Sequence, residues 1–223
     1  MAMMISLSDA GKRYNREWIF RHFTYTFEDG QSYAITGPNG SGKSTLLQAI
    51  SGSMHINEGS IKYEIQSTKY EIGSDPIAGE NKKLKLLPEE IYNHLSICAP
   101  YLEVVEEMTL KEFFNFHNSF KPFLTGLTTE KIISILGLEK AMNKQVRYYS
   151  SGMKQRVKLA QCIFSDTPIV LLDEPCTNLD AAGMELYLQL IKDYCQKRMV
   201  IVSSNDHHEY DFCRERIAIS DWK

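Results

Sequence analysis

The segment from Ser32 to Ile50, SYAITGPNGSGKSTLLQAI, limits what this chain can fold into more than any other stretch. Tyr33-Ala34-Ile35 is a short apolar run of the kind that forms a buried strand. It leads into Gly37-Pro38-Asn39-Gly40-Ser41-Gly42-Lys43-Ser44-Thr45. Leu46-Leu47-Gln48-Ala49-Ile50 follows with apolar residues at helical spacing and stops near Gly52. The pattern G-x-x-x-x-G-K-S therefore lies between a predicted strand and a predicted helix, the context in which it carries a mechanism. Gly37, Gly40 and Gly42 let the backbone adopt unusual dihedrals and approach a ligand without a Cβ in the way. Successive N–H groups then point into one concavity, and the helix starting near Lys43 adds the positive end of its dipole.

Such a concavity suits a di- or triphosphate. Lys43 is expected to reach the β- and γ-phosphates, and the Ser44 hydroxyl to be a Mg²⁺ ligand. A glycine-rich turn before an ordinary helix is the plainer reading, and the flanking strand and helix argue against it.

A chain of 223 residues fits one domain, or one domain with a subdomain, and has ample material for a core. A net charge of −3 gives no sign of a nucleic-acid surface or a polybasic membrane patch. No apolar run is long enough to span a bilayer, and no charged-then-apolar leader stands at Met1. Cys98, Cys162, Cys176, Cys195 and Cys213 are scattered and lack C-x-x-C spacing, which fits reduced thiols in the cytosol better than a metal or redox site.

Met3–Leu7, Trp18–Phe20 and Phe23–Phe27 read as strands, with Glu28-Asp29-Gly30 as a turn. Tyr14, upstream of the glycine-rich loop, could stack on an adenine ring; a surface-packed tyrosine is the alternative. Residues 59–65 alternate as a strand does, and 66–90, rich in charge with Gly73, Pro76, Gly79 and Pro88, read as an irregular excursion. Leu95–Ala99 returns to a buried strand. Thr109 and Glu112 form a capping box for a helix carrying Phe113, Phe114 and Phe116. Thr128-Thr129-Glu130 opens a second helix, with Ile132, Ile133, Ile135 and Leu136, that ends at Gly137. The aromatic cluster is read as the core of this helical insertion, with a docking surface for another protein as the alternative.

Ile169-Val170-Leu171-Leu172 is an apolar strand that delivers Asp173 and Glu174 at its carboxyl end. All-apolar strands belong inside parallel sheets, and ligands of such sheets lie beyond those ends. Asp173 is thus placed to hold Mg²⁺ and Glu174 to polarise a water aimed at a γ-phosphate. Met199–Val202 is a further buried strand, and Arg216–Ile219 an edge or last strand.

Ahead of the Asp173 strand lies Tyr149-Ser150-Ser151-Gly152-Met153-Lys154-Gln155-Arg156, and behind it Thr177-Asn178-Leu179-Asp180. The first resembles the ABC signature LSGGQ with its KQR tail, and the second the D-loop. With the Walker A loop at Gly37–Thr45 and the Walker B acids, the chain resembles the ABC ATPase nucleotide-binding domains of the P-loop NTPases over essentially its whole length. The resemblance implies an α/β fold: a RecA-like P-loop core, an N-terminal antiparallel β-subdomain and an inserted helical subdomain at about 104–160, all in a single domain, 1–223. It implies ATP and Mg²⁺, with Tyr14 stacking on the adenine. It also implies a head-to-tail homodimer, or a heterodimer with another such domain, in which Ser150, Ser151 and Gly152 of one copy meet ATP held by the other. The membrane span would belong to a separate permease subunit, holding this chain on the inner face of the cell membrane. No nucleic-acid partner is implied.

Three positions depart from the family pattern. The signature has Ser151 for a glycine and Met153 for a glutamine. No glutamine occurs from 67 to 144, and the place of the γ-phosphate-sensing one falls at Pro100, with Glu103 as a nearby substitute. The histidine expected after Val200–Val202 is replaced by Asn205, or else by His207 two places on. Asn can donate a hydrogen bond but carries no positive charge, so slow hydrolysis is expected, with Lys43, Asn205 and Glu174 in the catalytic roles. A nucleotide-gated clamp with little hydrolysis is the alternative.

Overall fold

The computed structural model describes residues 2–67 and 82–223, and its strands form two sheets. β1 (Ala2–Tyr14) and β2 (Glu17–Glu28) form a hairpin, and β3 (Ser32–Thr36) leads into α1 (Lys43–Ile50). β4 (Glu58–Ser67) returns to pair with β1, and β5 (Lys82–Leu86) pairs with β4. β6 (Leu95–Cys98) is followed by α2 (Leu110–Phe120), α3 (Thr129–Ile135) and α4 (Ser151–Ile163). β7 (Ile169–Asp173), α5 (Ala181–Tyr194), β8 (Met199–Ser203) and β9 (Glu215–Ala218) complete the chain. The antiparallel sheet runs β2-β1-β4-β5 and the parallel sheet β6-β7-β8-β3-β9.

Residue parity explains how the layers stack, because successive side chains of a strand face opposite ways. Ile169 and Leu171 of β7, Met199 and Ile201 of β8, and Tyr33 and Ile35 of β3 share one core. That core includes Met3, Ile5 and Leu7 of the antiparallel sheet and Leu46, Leu47 and Ile50 of α1. The alternate residues Val170, Leu172, Val200, Val202 and Ala34 face a second core with Phe113, Phe114, Ile132, Ile133, Val157 and Tyr187. The parallel sheet is thus covered on both sides, which is why the inner strands β7 and β8 are apolar up to their last residue.

Two sequence expectations are corrected. Trp18–Phe20 and Phe23–Phe27 belong to one strand, β2, because the break between them is a bulge and not a turn. Gly11 alone stands opposite Arg21 and His22, and His22 adopts φ of 56°. The stretch 66–90 is not irregular throughout: Lys82–Leu86 joins the antiparallel sheet and Pro88–Asn93 forms a 3₁₀ turn. Charge misled the reading, since an edge strand tolerates lysines that an interior strand would not. The rest of that excursion, 68–81, lies outside the described residues.

The helical insertion forms as its caps predict. The Thr109 side chain accepts the Glu112 N–H, while Glu112 accepts the Thr109 N–H at 2.9 Å. The aromatic cluster divides: Phe113 and Phe114 are buried, whereas Phe116 is exposed and meets exposed Phe120 edge-on with centroids 4.9 Å apart.

Two polar clusters hold the end of α4 in place, one around buried Arg198 and one around partly buried His117. Arg198 donates to the carbonyls of Thr167, Ile163 and Ser165 and to Thr167 Oγ1. Its removal takes a charged donor from all four, and the Ile163 and Thr167 carbonyls lose the side-chain partner they share. Arg198→Ala is expected to destabilise by about 3 kcal/mol, a fall in Tm of roughly 6–12 °C, read by thermal denaturation. His117 is held neutral. Gln161 Nε2 lies 3.2 Å from Nδ1, Nε2 lies 2.9 Å from Ser165 Oγ, and that hydroxyl donates on to the Gln161 carbonyl at 2.6 Å. Burial, with Lys121 nearby, pushes its pKa down from 6.5 to about 4. The unfolded chain therefore binds the proton more readily. The stability contributed by neutral His117 is complete above about pH 6.5 and is lost as pH falls towards 4. Urea midpoints measured over that window should fall more steeply for the wild type than for His117→Gln.

Candidate functional site

All strands of the second sheet are parallel, so their carboxyl ends share one edge, and the candidate residues collect there. β3 ends at Thr36, and Gly37 to Gly42 wrap into α1. Gly42, the N-cap of α1, has φ of 103°, and a Cβ there would lie 2.3 Å from Ile19 Cγ2. No other residue fits that position. A cavity of about 200 Å³ is lined by Ile19, Asn39, Gly40, Ser41, Gly42, Lys43, Ser44, Thr45 and Glu174. The Lys43 ammonium folds over the loop and donates to the Gly37 carbonyl at 2.9 Å and the Pro38 carbonyl at 3.2 Å.

The Walker A and Walker B segments, over a hundred residues apart in the chain, meet here. Ser44 Oγ donates to Asp173 Oδ1 at 3.0 Å. Asp173 is only 2% exposed, and burial raises its pKa against the opposing effects of the Ser203 and Ser44 hydroxyls and of Lys43. A hard oxygen pair of this kind, with a carboxylate beneath an open cavity, fits Mg²⁺, which takes few protein ligands and keeps room for waters and phosphate oxygens.

Glu174 follows with φ of 43°, a left-handed conformation unusual for a residue with a side chain. Such a backbone costs about 1–3 kcal/mol and persists where its neighbours over-determine it. The Glu174 N–H donates to the Ser203 carbonyl at 2.8 Å, and its own carbonyl accepts from the Thr177 N–H and hydroxyl. Gln155 of α4 donates to the next carbonyl, Pro175, at 2.7 Å within the core. The bend turns Glu174 away from the strand line and onto the wall of the cavity.

The three departures from the family pattern occupy distinct places. Asn205 Nδ2 donates to Asn39 Oδ1 at 2.9 Å, so it touches the glycine-rich loop itself. His207 stacks on His208 with centroids 3.9 Å apart and faces Asp206 at 3.7 Å. Glu103 lines a different cavity, between β6 and the helices, with His117, Lys121 and Lys158. Pro100 sits in the turn closed by Leu102 N–H on the Ala99 carbonyl. The side chain from that turn that approaches the site is Tyr101, which lies beside Gln48, one helical turn beyond Ser44, and near Asp173. Burial and Asp173 raise the Tyr101 pKa while Gln48 opposes them. Residue type gives no signal for the position of Tyr101, which the turn sets, and the sequence shows Gln155 only as part of a motif tail.

Ser150 caps α4, its hydroxyl accepting the Met153 N–H at 3.3 Å. Ser151 and Gly152 form the first turn of that helix. They line a cavity of about 510 Å³ with Met153, Arg156, Asn178 and Asp180, and this cavity shares no residue with that of the glycine-rich loop. Arg156 meets Asp180 at 3.3 Å, joining the signature segment to the D-loop segment. Tyr14, at the end of β1, is half-exposed; its hydroxyl donates to Met54 Sδ at 3.3 Å, and Lys12 lies over its ring.

The chain is similar over most of its length to known proteins. The ATP-binding protein YhcH of Bacillus subtilis is 29% identical over 98% of this chain and 67% of its own length. The cytochrome c biogenesis ATP-binding export protein CcmA of Agrobacterium fabrum is 27% identical over 91% of this chain and 88% of its own. The thiamine import ATP-binding protein ThiQ of Salmonella paratyphi A is 29% identical over 88% and 80%. Among solved structures, the bacterial ABC transporter cassette MJ0796, determined as a dimer, superposes with a TM-score of 0.74 at 22% identity, covering 96% of this chain and 94% of that one. At that identity the likeness speaks to fold alone. The family model described as ABC transporter matches residues 20–177. With the glycine-rich loop, the two acids and the signature segment arranged as described, this chain belongs to the ABC transporter family, as an ATP-binding domain of the P-loop fold.

Proposed function

We propose that this chain is the ATP-hydrolysing subunit of a transporter. It works as a single cassette, residues 1–223, that dimerises head-to-tail with a second copy or another cassette around ATP. Separate transmembrane permease subunits hold it at the cytoplasmic face and receive its motion. The observation that carries this reading is the meeting of Ser44 and Asp173 at 3.0 Å under a cavity that Lys43 and Glu174 also line. Relatives named for export and for import support transport as the context.

The steps follow from the residues. ATP enters the loop at Gly37–Thr45, whose N–H groups donate to the phosphate oxygens, and Lys43 exchanges its loop carbonyls for the β- and γ-phosphate oxygens. Ser44 and Asp173 would hold Mg²⁺, which supplies neutralisation of the charge developing between those phosphates. Glu174 orients and deprotonates the water that attacks the γ-phosphate. Asn205 donates a neutral hydrogen bond from beside Asn39. Ser150, Ser151 and Gly152 of the partner copy close over the γ-phosphate from a helix start. The separate linings of the two cavities support this division between copies. Tyr14 is assigned to the adenine, and Tyr101 to the metal side of the site.

Steady-state ATP hydrolysis with Mg·ATP binding measured alongside tests the reading. Glu174→Gln should retain binding and lose turnover by about 10²–10⁴, the contribution of a positioned base. A wild type that binds Mg·ATP without turnover, even with its membrane partner, would favour the clamp reading, which the uncharged Asn205 supports. Asn205→His should raise turnover above the wild type by restoring an ionisable donor at the same place, read in the same assay.

A further inference from the structure

Glu209 is a buried acid that none of these steps uses. It ends the 3₁₀ turn His207–Glu209 that follows Asn205, and is 5% exposed. Its Oε1 accepts the Cys176 N–H at 2.8 Å, two residues beyond Glu174. Its carbonyl accepts the hydroxyl of fully buried Tyr187, from within α5, at 2.8 Å. The second carboxyl oxygen, Oε2, is buried without a hydrogen-bond partner. Around the carboxyl lie the Ser204 hydroxyl and the acids Asp206 and Glu174.

An acid is a costly choice for such a place. Two other carboxyl groups lie close, one of its own oxygens has no donor, and an apolar side chain would fill the space at lower cost. What the carboxyl supplies is a tie of fixed length between two loops. One runs from Glu174 to Thr177 and the other from Ser204 to Glu209. The first loop begins with the left-handed Glu174, which needs its neighbours to hold it. Ser203, Gln155 and Thr177 hold its other positions, and Glu209 holds Cys176.

We propose that Glu209 is a positioning residue that fixes Glu174 and Asn205 relative to one another, so that hydrolysis depends on it while nucleotide binding does not. The inference rests on the reading that Glu174 and Asn205 act in hydrolysis. A side chain displaced by about an ångström from its working geometry loses rate on the order of a hundredfold, so the effect is readable.

The test is single-turnover ATP hydrolysis and Mg·ATP binding for the wild type, Glu209→Ala and Glu209→Gln, with thermal melts to verify folding. Glu209→Ala should lose rate at least about tenfold with affinity kept within about threefold. Glu209→Gln, whose amide oxygen still accepts the Cys176 N–H, should stay within about threefold of the wild-type rate. A Glu209→Ala rate equal to the wild type, a loss of affinity matching the loss of rate, or a Gln variant as slow as the Ala variant would overturn the proposal. If Glu209→Ala does not fold, Glu209→Asp decides: its shorter reach should slow hydrolysis without weakening binding, and an unaltered rate overturns the tie. A wild type that binds but never turns over removes the hydrolytic reading itself, and this inference with it. Turnover in the wild type matched by Glu209→Ala removes this inference alone.

Discussion

The structure depends on burying β7, β8 and β3 on both faces. Ile169, Val170, Leu171 and Leu172 are each fully buried, as are Ile201 and Val202. No single layer can cover such strands. One face takes the antiparallel sheet and α1, the other takes the inserted helices and α5. Backbone donors and acceptors within the strands are used by their parallel neighbours, so polar chemistry first becomes available where the strands stop. Thr36, Asp173 and Ser203 are the residues at those ends; the glycine-rich loop and Glu174 follow directly, and Asn205 one residue on.

That placement sets the electrostatics. Asp173 lies deep enough for burial to raise its pKa, yet Ser44, Ser203 and Lys43 oppose the shift. The pair Ser44–Asp173 joins the start of α1 to the end of β7, so any ligand held there bears on both elements. The second site lies elsewhere by the same logic. Ser150 caps a helix that begins in the inserted layer, and its cavity is built with Asn178 and Asp180 from the loop after β7. Gln155, on that helix, bonds Pro175 beside Glu174. The two candidate sites of one chain are therefore mechanically joined through α4 although they share no lining residue.

Much of this was legible in the sequence. The strand–loop–helix around Lys43, the apolar run ending in Asp173-Glu174, and the capping box of Thr109 and Glu112 all lie within one short window each. Local propensity and spacing therefore sufficed to place them. What failed also had local causes. The bulge at Arg21-His22 looks like a turn because alternation breaks there, while the strand's partner, Gly11, is distant in the chain. Lys82–Leu86 looks unstructured because its strand character comes from pairing with β4.

The sequence by itself determined the short-range features that carry the chemistry: a glycine-rich turn between strand and helix, two acids at a strand end, and a signature segment ahead of them. Those depend on residue type at short range. Only the tertiary structure decided which distant residues meet. It set Ser44 against Asp173, Asn205 against Asn39, and Tyr101 rather than Glu103 near Asp173. It also revealed Glu209 beneath Glu174. Such meetings follow from strand order and from the two-sided burial of the parallel sheet, which no local window of sequence contains.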